Sequence, residues 1–186
     1  MNTMDLTWCS PEVARLLALA DGGERPLGLL SPRRMTPPEA APLLQADAPA
    51  QWFPGARSPQ GAMAGLWLYF GSFDDAHRVS QELDTPEGSY WHAIVHRLEP
   101  DAGNSNYWSR HTGPHPVHGP LLAEARTSVR AHPGCGLELG PQWEPERFTS
   151  FCEQALSSPG SAAELAAGLI QNAEWHLLFQ WCGMRR

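Results

Sequence analysis

Two histidines four positions apart, His92 and His96, are the residues of this sequence best suited to chemistry. On a helix, residues four apart lie one above the other, so both imidazoles can reach a single metal ion from consecutive turns. Neutral imidazole suits zinc, copper and iron, and three protein ligands with one open position make a catalytic centre. The spacing therefore predicts a divalent transition metal, Fe, Zn or Cu, in a small enzyme that acts on a small molecule of unidentified structure.

The neighbouring sequence supplies further candidates for this site. His77 occupies the corresponding side position of the preceding helix, and it faces His92 if the two helices are antiparallel. A proline-bounded loop follows the later helix and carries another histidine. The predicted metal ligands are His77, His92, His96 and His115, and the predicted catalytic residues are Glu99, Tyr107 and Arg97. Glu99 is predicted either as a ligand or as the hydrogen-bond acceptor of a ligand.

Other interpretations of the same residues stay open at this stage. A metal-free pocket for an anionic or planar molecule, with histidines as general acids and bases, is another possibility. Its residues would be Tyr90, Tyr107, Trp108, Arg97 and Arg110. A non-catalytic helical protein that binds a peptide or small ligand is the main alternative. The histidines also fit a purely structural role, donating to backbone carbonyls or carboxylates. Position 93 is alanine where a zinc peptidase helix carries glutamate, so the peptidase interpretation loses its support.

Helix signals place these residues on successive helices. Capping residues followed by proline start helices at Pro11 and at Pro86, and helices are predicted over 62–70, 74–83, 103–111, 118–130, 144–156 and 161–181. No segment alternates with the period of a strand, so the predicted class is all-α. The expected architecture is an irregular helical bundle with a helical-hairpin core and long loops rich in proline and glycine. His92, His96 and Glu99 are expected at the rim of the core, beside an apolar face.

The 186 residues are expected to form a single domain. Within it, the proline-dense segment 24–59 is predicted to wrap the core as an arm, with helix possible only over 38–45 and an aromatic-pinned loop at 52–55. Segment 62–113 is the predicted hairpin core with the site. Segment 144–183 is the predicted C-terminal helical pair. Its last helix carries an apolar stripe, formed by Leu165, Leu169, Ala173, Leu177 and Trp181.

The charge of the chain narrows the classes of partner. The formal net charge is −7, which offers no excess of positive potential for a nucleic-acid backbone. All 13 basic residues are arginine, so no lysine Schiff base is available. The four scattered cysteines are expected to be free thiols. No signal peptide or membrane span is evident, and a soluble cytoplasmic protein with a small-molecule ligand is predicted.

Two resemblances concern the same central region. The corner at 71–76 has a loose echo twenty-nine residues later, at 100–105, so that segment 62–113 resembles a degenerate Sel1 or tetratricopeptide-type hairpin pair. Several runs between residues 65 and 116 resemble an uncharacterised bacterial and fungal protein family. They are Gly65-Leu66-Trp67-Leu68-Tyr69, Asp74-Asp75-Ala76-His77-Arg78, Gly88-Ser89-Tyr90-Trp91-His92, His96-Arg97, Asn104 through Tyr107-Trp108, and His115-Pro116. The second resemblance covers about a third of the chain, and it implies where the site lies without implying a reaction.

Overall fold

A computed structural model describes residues 9–20, 28–29, 39–40, 44 and 49–185, and these residues form helices and connecting loops without a β-strand. The prediction of an all-α fold is confirmed. The helices of the described residues are α1 (Pro11–Ala18), α2 (Pro49–Trp52), α3 (Pro59–Phe70), α4 (Phe73–Glu82), α5 (Pro86–Leu98), α6 (Ala102–Thr112), α7 (His118–Ala131), α8 (Pro145–Leu156) and α9 (Ala162–Gly183).

Local capping explains where several helices begin and end. The side-chain oxygens of Ser10, Thr85 and Ser161 each accept the backbone N–H three residues later, which satisfies a donor that the first turn leaves unpaired. Helix α3 ends at Gly71, whose φ of 81° is left-handed and turns the chain into α4. The predicted helix starts at Pro11 and Pro86 and the tight corner after Phe70 are therefore confirmed.

Helix α5 lies at the centre of the fold. It packs against α4 and α6, its neighbours in the chain, and also against α3. Every residue from Tyr90 to Leu98 is buried, including His92 and His96. The prediction that the two histidines lie at the rim of the core is wrong, because α4 and α6 cover the polar side of α5 as well. The tetratricopeptide-like character of this hairpin region stays a prediction.

Helix α9 closes the core from the other side, where it packs against α3, α7 and α8. The apolar stripe predicted for this helix meets the core only in part: Ala173, Leu177 and Trp181 pack against it half-buried, whereas Leu165 and Leu169 are 54% and 46% exposed. The buried side instead presents Ile170, Trp175 and Phe179. Because α9 is apolar on most of its circumference, helical periodicity did not single out one face, and packing of the large aromatic rings selected the buried one.

Part of the predicted arm is visible against this core. Phe53 is fully buried and meets Phe179 edge to face, with ring centroids 5.9 Å apart. The Trp67 indole donates to the Leu44 carbonyl at 3.0 Å, and the Gln171 amide donates to the Gly28 carbonyl. Phe53 to Gly55 form the predicted aromatic-pinned loop, but Trp52 ends helix α2, so the prediction that helix is possible only over 38–45 of this arm is wrong. Most of the arm and of the helix proposed at 38–45 lies outside the described residues. In the described part of the chain, no helix combines the length and apolar content needed to cross a membrane.

Candidate metal centre

Three imidazoles carried by two helices meet on one side of α5. His92 and His96 lie on consecutive turns of α5, and α4 places His77 opposite them. The ring centroid of His77 is 4.8 Å from that of His92 and 5.1 Å from that of His96. One ring nitrogen from each residue lies within 4.8 Å of the other two, a group that could hold a metal ion. We call these residues the histidine triad, and they are three of the four ligands predicted from the sequence.

The nitrogen atoms of the two α5 histidines are already close to the separation that a shared ion needs. His92 Nε2 lies 3.1 Å from His96 Nε2. Two imidazole nitrogens bound to a tetrahedral zinc at about 2.0–2.1 Å are about 3.3 Å apart. An ion therefore requires only a small opening of this pair.

Burial keeps the α5 imidazoles neutral at pH 7. Desolvation, with contributions from His96 and His77, lowers the pKa of His92 to about 4. Desolvation and His77 also lower the pKa of His96, against the opposing effect of Glu99 and Asp101. Neutral imidazole is the form that binds metal. Protons therefore compete weakly with a cation at these two residues.

His77 connects the triad to solvent. Its side chain is only half-buried, whereas His92 and His96 are 2% and 9% exposed. His77 lines an open depression of about 320 Å³, and the other residues around this depression are Asp74, Arg78, Gln81 and Glu82. A small molecule or ion can therefore reach the triad beside His77.

Trp108 covers the triad from α6. Its indole is stacked on the His92 ring, with centroids 4.2 Å apart and planes 30° apart. Tyr107 packs edge to face on Trp108 at 5.3 Å, but it is 45% exposed. The predicted catalytic residue Tyr107 thus lies one ring removed from the triad. The sequence indicated Trp108 as part of an aromatic cluster but gave no reason to place it on His92.

Two carboxylates lie behind His96. Glu99 Oε2 is 3.5 Å from His96 Nδ1, and Asp101 Oδ2 is 3.9 Å from the same nitrogen. This is the ring nitrogen opposite the one that faces His92. Of the two roles predicted for Glu99, the geometry fits the acceptor of a ligand and not a further ligand. Asp101 was not predicted, although its position as the residue before α6 marks it as a capping residue.

His115 does not join the triad. Its Nδ1 accepts the backbone N–H of Val117 at 3.2 Å, so the neutral ring carries its proton on Nε2 and has no free lone pair for a metal. The ring packs against Tyr90 and Trp181, with centroids 5.2 and 5.6 Å away, and desolvation lowers its pKa to about 4. A histidine before proline in a loop gave no phase information, which is why its direction was not predictable.

Arg97 points into the core, away from the role predicted for it. Its guanidinium forms an ion pair with Glu174 of α9 and donates from Nε to Gln171 Oε1 at 3.1 Å. The side chains of Arg97 and Glu174 are only 4% and 1% exposed. The guanidinium also lies over the Phe148 ring, 4.8 Å from its centroid. These contacts assign Arg97 to a buried polar cluster that ties α5 to α9, and the predicted catalytic role has no geometric support.

A separate cavity of about 720 Å³ lies between the end of α6, the start of α7 and segment 141–147. Trp143 and Leu122 supply apolar lining, and His115 contributes to the wall. Two arginines at this cavity are already paired, Arg110 with Glu146 at 2.6 Å and Arg147 with Glu144 at 3.0 Å. The lining is therefore close to neutral. The sequence suggested a pocket around Tyr90, Tyr107, Trp108, Arg97 and Arg110, but only Arg110 of these five residues lines this cavity.

Among the described residues, one group of metal-ligating side chains converges, the histidine triad. A histidine pair on one helix, joined by a histidine from the preceding helix, is chemically suited to a borderline transition metal. Comparison of the chain with protein families, with curated proteins and with solved structures finds no match.

Proposed function

We propose that this protein binds one divalent transition-metal ion through His77, His92 and His96. The observation that carries the proposal is the convergence of three imidazole nitrogens, all within 4.8 Å of one another, from two adjacent helices. The two buried members are neutral at pH 7, because their pKa values are lowered, so neither ring carries the second proton that would repel a cation.

The donor set favours zinc or copper. All three donors are imidazole nitrogens, which hard cations such as Mg²⁺ and Ca²⁺ avoid in favour of oxygen. Non-haem iron oxygenases use two histidines and a carboxylate, and here the nearest carboxylate, Glu99, lies behind a histidine. We therefore favour Zn²⁺ or Cu²⁺ over Fe²⁺ as the ion.

The proposed activity is metal-assisted hydrolysis or hydration of a small molecule. Three protein ligands leave one position of a tetrahedral ion open, and such an ion supplies a water acidified to a pKa of about 7. Neutral histidine ligands leave the full positive charge of the ion at this position. The half-buried His77 and the depression beside it give the route by which a small molecule enters, past Asp74 and Arg78.

Elemental analysis and calorimetry test the metal site directly. The protein is purified without a histidine tag, and titration with Zn²⁺ and Cu²⁺ is expected to give one ion per chain. Substituting His77→Ala removes the least buried ligand and is expected to weaken binding strongly without unfolding the chain. His111→Ala is the matched control, because His111 is an exposed histidine that donates from Nδ1 to the Tyr107 carbonyl.

Circular dichroism of each metal-free variant separates loss of binding from loss of fold. At an ion concentration of 100 times Kd, the bound ion is expected to stabilise the wild type by about 2.7 kcal/mol. Absence of stoichiometric binding by the wild type, or equal binding by His77→Ala and His111→Ala, would refute the site.

A second candidate function is non-catalytic binding of a small molecule in the 720 Å³ cavity. The volume of this cavity lies within the range of about 300–1,000 Å³ that ligand sites occupy. Gly119 lines it, and a Cβ added there meets no atom within 4 Å, so a larger side chain can start into the cavity without a clash at its base. A fragment screen by NMR tests this function: shifts at Trp143 that disappear in Gly119→Phe support it, whereas a screen without such shifts contradicts it.

A further inference from the structure

The ring nitrogen of His96 that points away from the triad is buried and makes no hydrogen bond. Nδ1 of His96 is shielded from solvent and has no hydrogen-bond partner. The nearest acceptors are the carboxylates of Glu99 at 3.5 Å and Asp101 at 3.9 Å. An imidazole N–H left in this state costs about 1–3 kcal/mol, so a small rotation of a carboxylate towards it is favourable.

We propose that Glu99 is a positioning residue that accepts the Nδ1–H of His96 and thereby keeps the Nε2 lone pair of His96 free for the ion. The inference rests on the proposed metal-binding function. A neutral imidazole carries one proton, and the hydrogen bond made by one nitrogen decides which tautomer is present. A carboxylate behind a ligating histidine also raises the basicity of the ligand, and its removal typically costs about 10–100-fold in metal affinity.

Glu99 suits this role better than Asp101, because Asp101 is already engaged. Asp101 Oδ1 accepts the backbone N–H of Asn104 at 3.1 Å, and Oδ2 accepts the Asn104 side-chain amide at 2.7 Å. Asp101 is therefore the N-cap of α6. Glu99 follows the last residue of α5, and among the described residues its carboxylate pairs only with His96.

The same assignment defines the proton between the two α5 histidines. If His96 carries its proton on Nδ1, then its Nε2 is an acceptor, and the hydrogen bond of 3.1 Å is donated by His92 Nε2–H. Glu99 therefore leaves His96 with an unprotonated Nε2 before the ion binds. His92 is the ligand whose Nε2 must lose its hydrogen when the ion binds.

The test begins with NMR of the metal-free protein labelled with ¹⁵N in its imidazoles, because the tautomer of His96 does not depend on metal. We expect the Nδ1–H tautomer in the wild type and a shift towards Nε2–H in Glu99→Ala. We also expect Zn²⁺ affinity to fall by about 10–100-fold in Glu99→Ala. Glu99→Gln retains an oxygen acceptor for Nδ1–H, so it is expected to keep the tautomer and to recover part of the affinity.

Glu82→Ala is the matched control. It removes one exposed carboxylate from the depression beside His77, so it reports the general effect of losing a negative charge near the site. An Nε2–H tautomer of His96 in the wild type, or a loss of affinity in Glu99→Ala no larger than in Glu82→Ala, overturns the inference. A wild type that shows the Nδ1–H tautomer but binds no metal refutes the proposed function instead, and the two failures are thus distinguishable.

Discussion

Replacing Arg97 by methionine is expected to destabilise the protein severely without changing the metal centre. The methionine introduced by this substitution is apolar and of similar length, but Glu174 would remain in the core, where it is 1% exposed, without its cationic partner. Removing one partner of a buried ion pair costs about 3–5 kcal/mol, because the other charge stays desolvated. The Gln171 oxygen would also lose the N–H that Arg97 donates at 3.1 Å.

Urea unfolding of the metal-free protein, followed by circular dichroism at pH 7, measures this cost. With a dependence of about 1–3 kcal/mol per molar urea, a loss of about 4 kcal/mol lowers the unfolding midpoint by about 2 M. Zn²⁺ affinity is measured at low urea on the folded fraction and is expected to stay within about threefold of the wild type. The reason is that the Arg97 side chain belongs to the buried polar cluster with Glu174 and makes no contact with the histidine triad in the contacts described above.

Two further variants test whether the buried, unpaired Glu174 carboxylate causes the loss of stability. The double variant Arg97→Met/Glu174→Leu is expected to recover most of the lost stability, because two apolar residues can replace a buried pair at little cost. Arg110→Met breaks a surface pair whose side chains are 60% and 52% exposed, and it should cost at most about 1 kcal/mol. A loss below about 1 kcal/mol in Arg97→Met would refute the reasoning. If Arg97→Met instead lost much of its metal affinity at unchanged stability, Arg97 would act at the site, as the sequence predicted, and not in the core.

Four other substitutions test the packing and electrostatics of the core. The pKa of His115 falls from 6.5 to about 4 on folding, so the unfolded chain takes up a proton first as the pH drops. The contribution of neutral His115 to the free energy of unfolding is therefore complete above pH 6.5, and it decreases by roughly 3 kcal/mol as the pH falls towards 4. Urea unfolding of His115→Gln should lack this part of the pH dependence. Gly65→Ala places Cβ 2.6 Å from the Trp91 ring and should cost about 1–3 kcal/mol in thermal unfolding, whereas Gly168→Ala, with no atom within 4 Å, should be neutral or stabilising. Leu169→Glu should change stability by less than about 0.5 kcal/mol, because this side chain is 46% exposed; a loss of several kcal/mol would mean that Leu169 is covered.

The features that sequence predicted correctly are local or periodic. The helix starts at Ser10 and Thr85 depend on a side chain that accepts a hydrogen bond from the backbone three residues later. A stretch of four residues is therefore sufficient to predict where these helices begin. The meeting of His77 with His92 followed from helix phase together with an antiparallel turn, since the angular position of a residue is set by its number along the helix. Helix periodicity was therefore sufficient to predict which histidines lie together.

The features that sequence did not predict depend on partners far along the chain. Arg97 and Glu174 are 77 positions apart, and nothing in the letters around Arg97 indicates that α9 would bring a carboxylate to it. His115 lies in a loop, where no period fixes the direction of the ring. Leu169 is exposed because α9 is apolar on most of its circumference, so the sequence offers several faces that could be buried and does not indicate which one is.

The sequence by itself determined that this protein is helical, and that two histidines of one helix meet a third from the helix before it. Only the tertiary structure decided that Trp108 stacks on the buried His92, that Glu99 lies behind His96, and that Arg97 pairs with Glu174 in the core. The physical reason is that hydrogen bonding and helix period act over a few residues, whereas desolvation and side-chain pairing depend on which helices pack together.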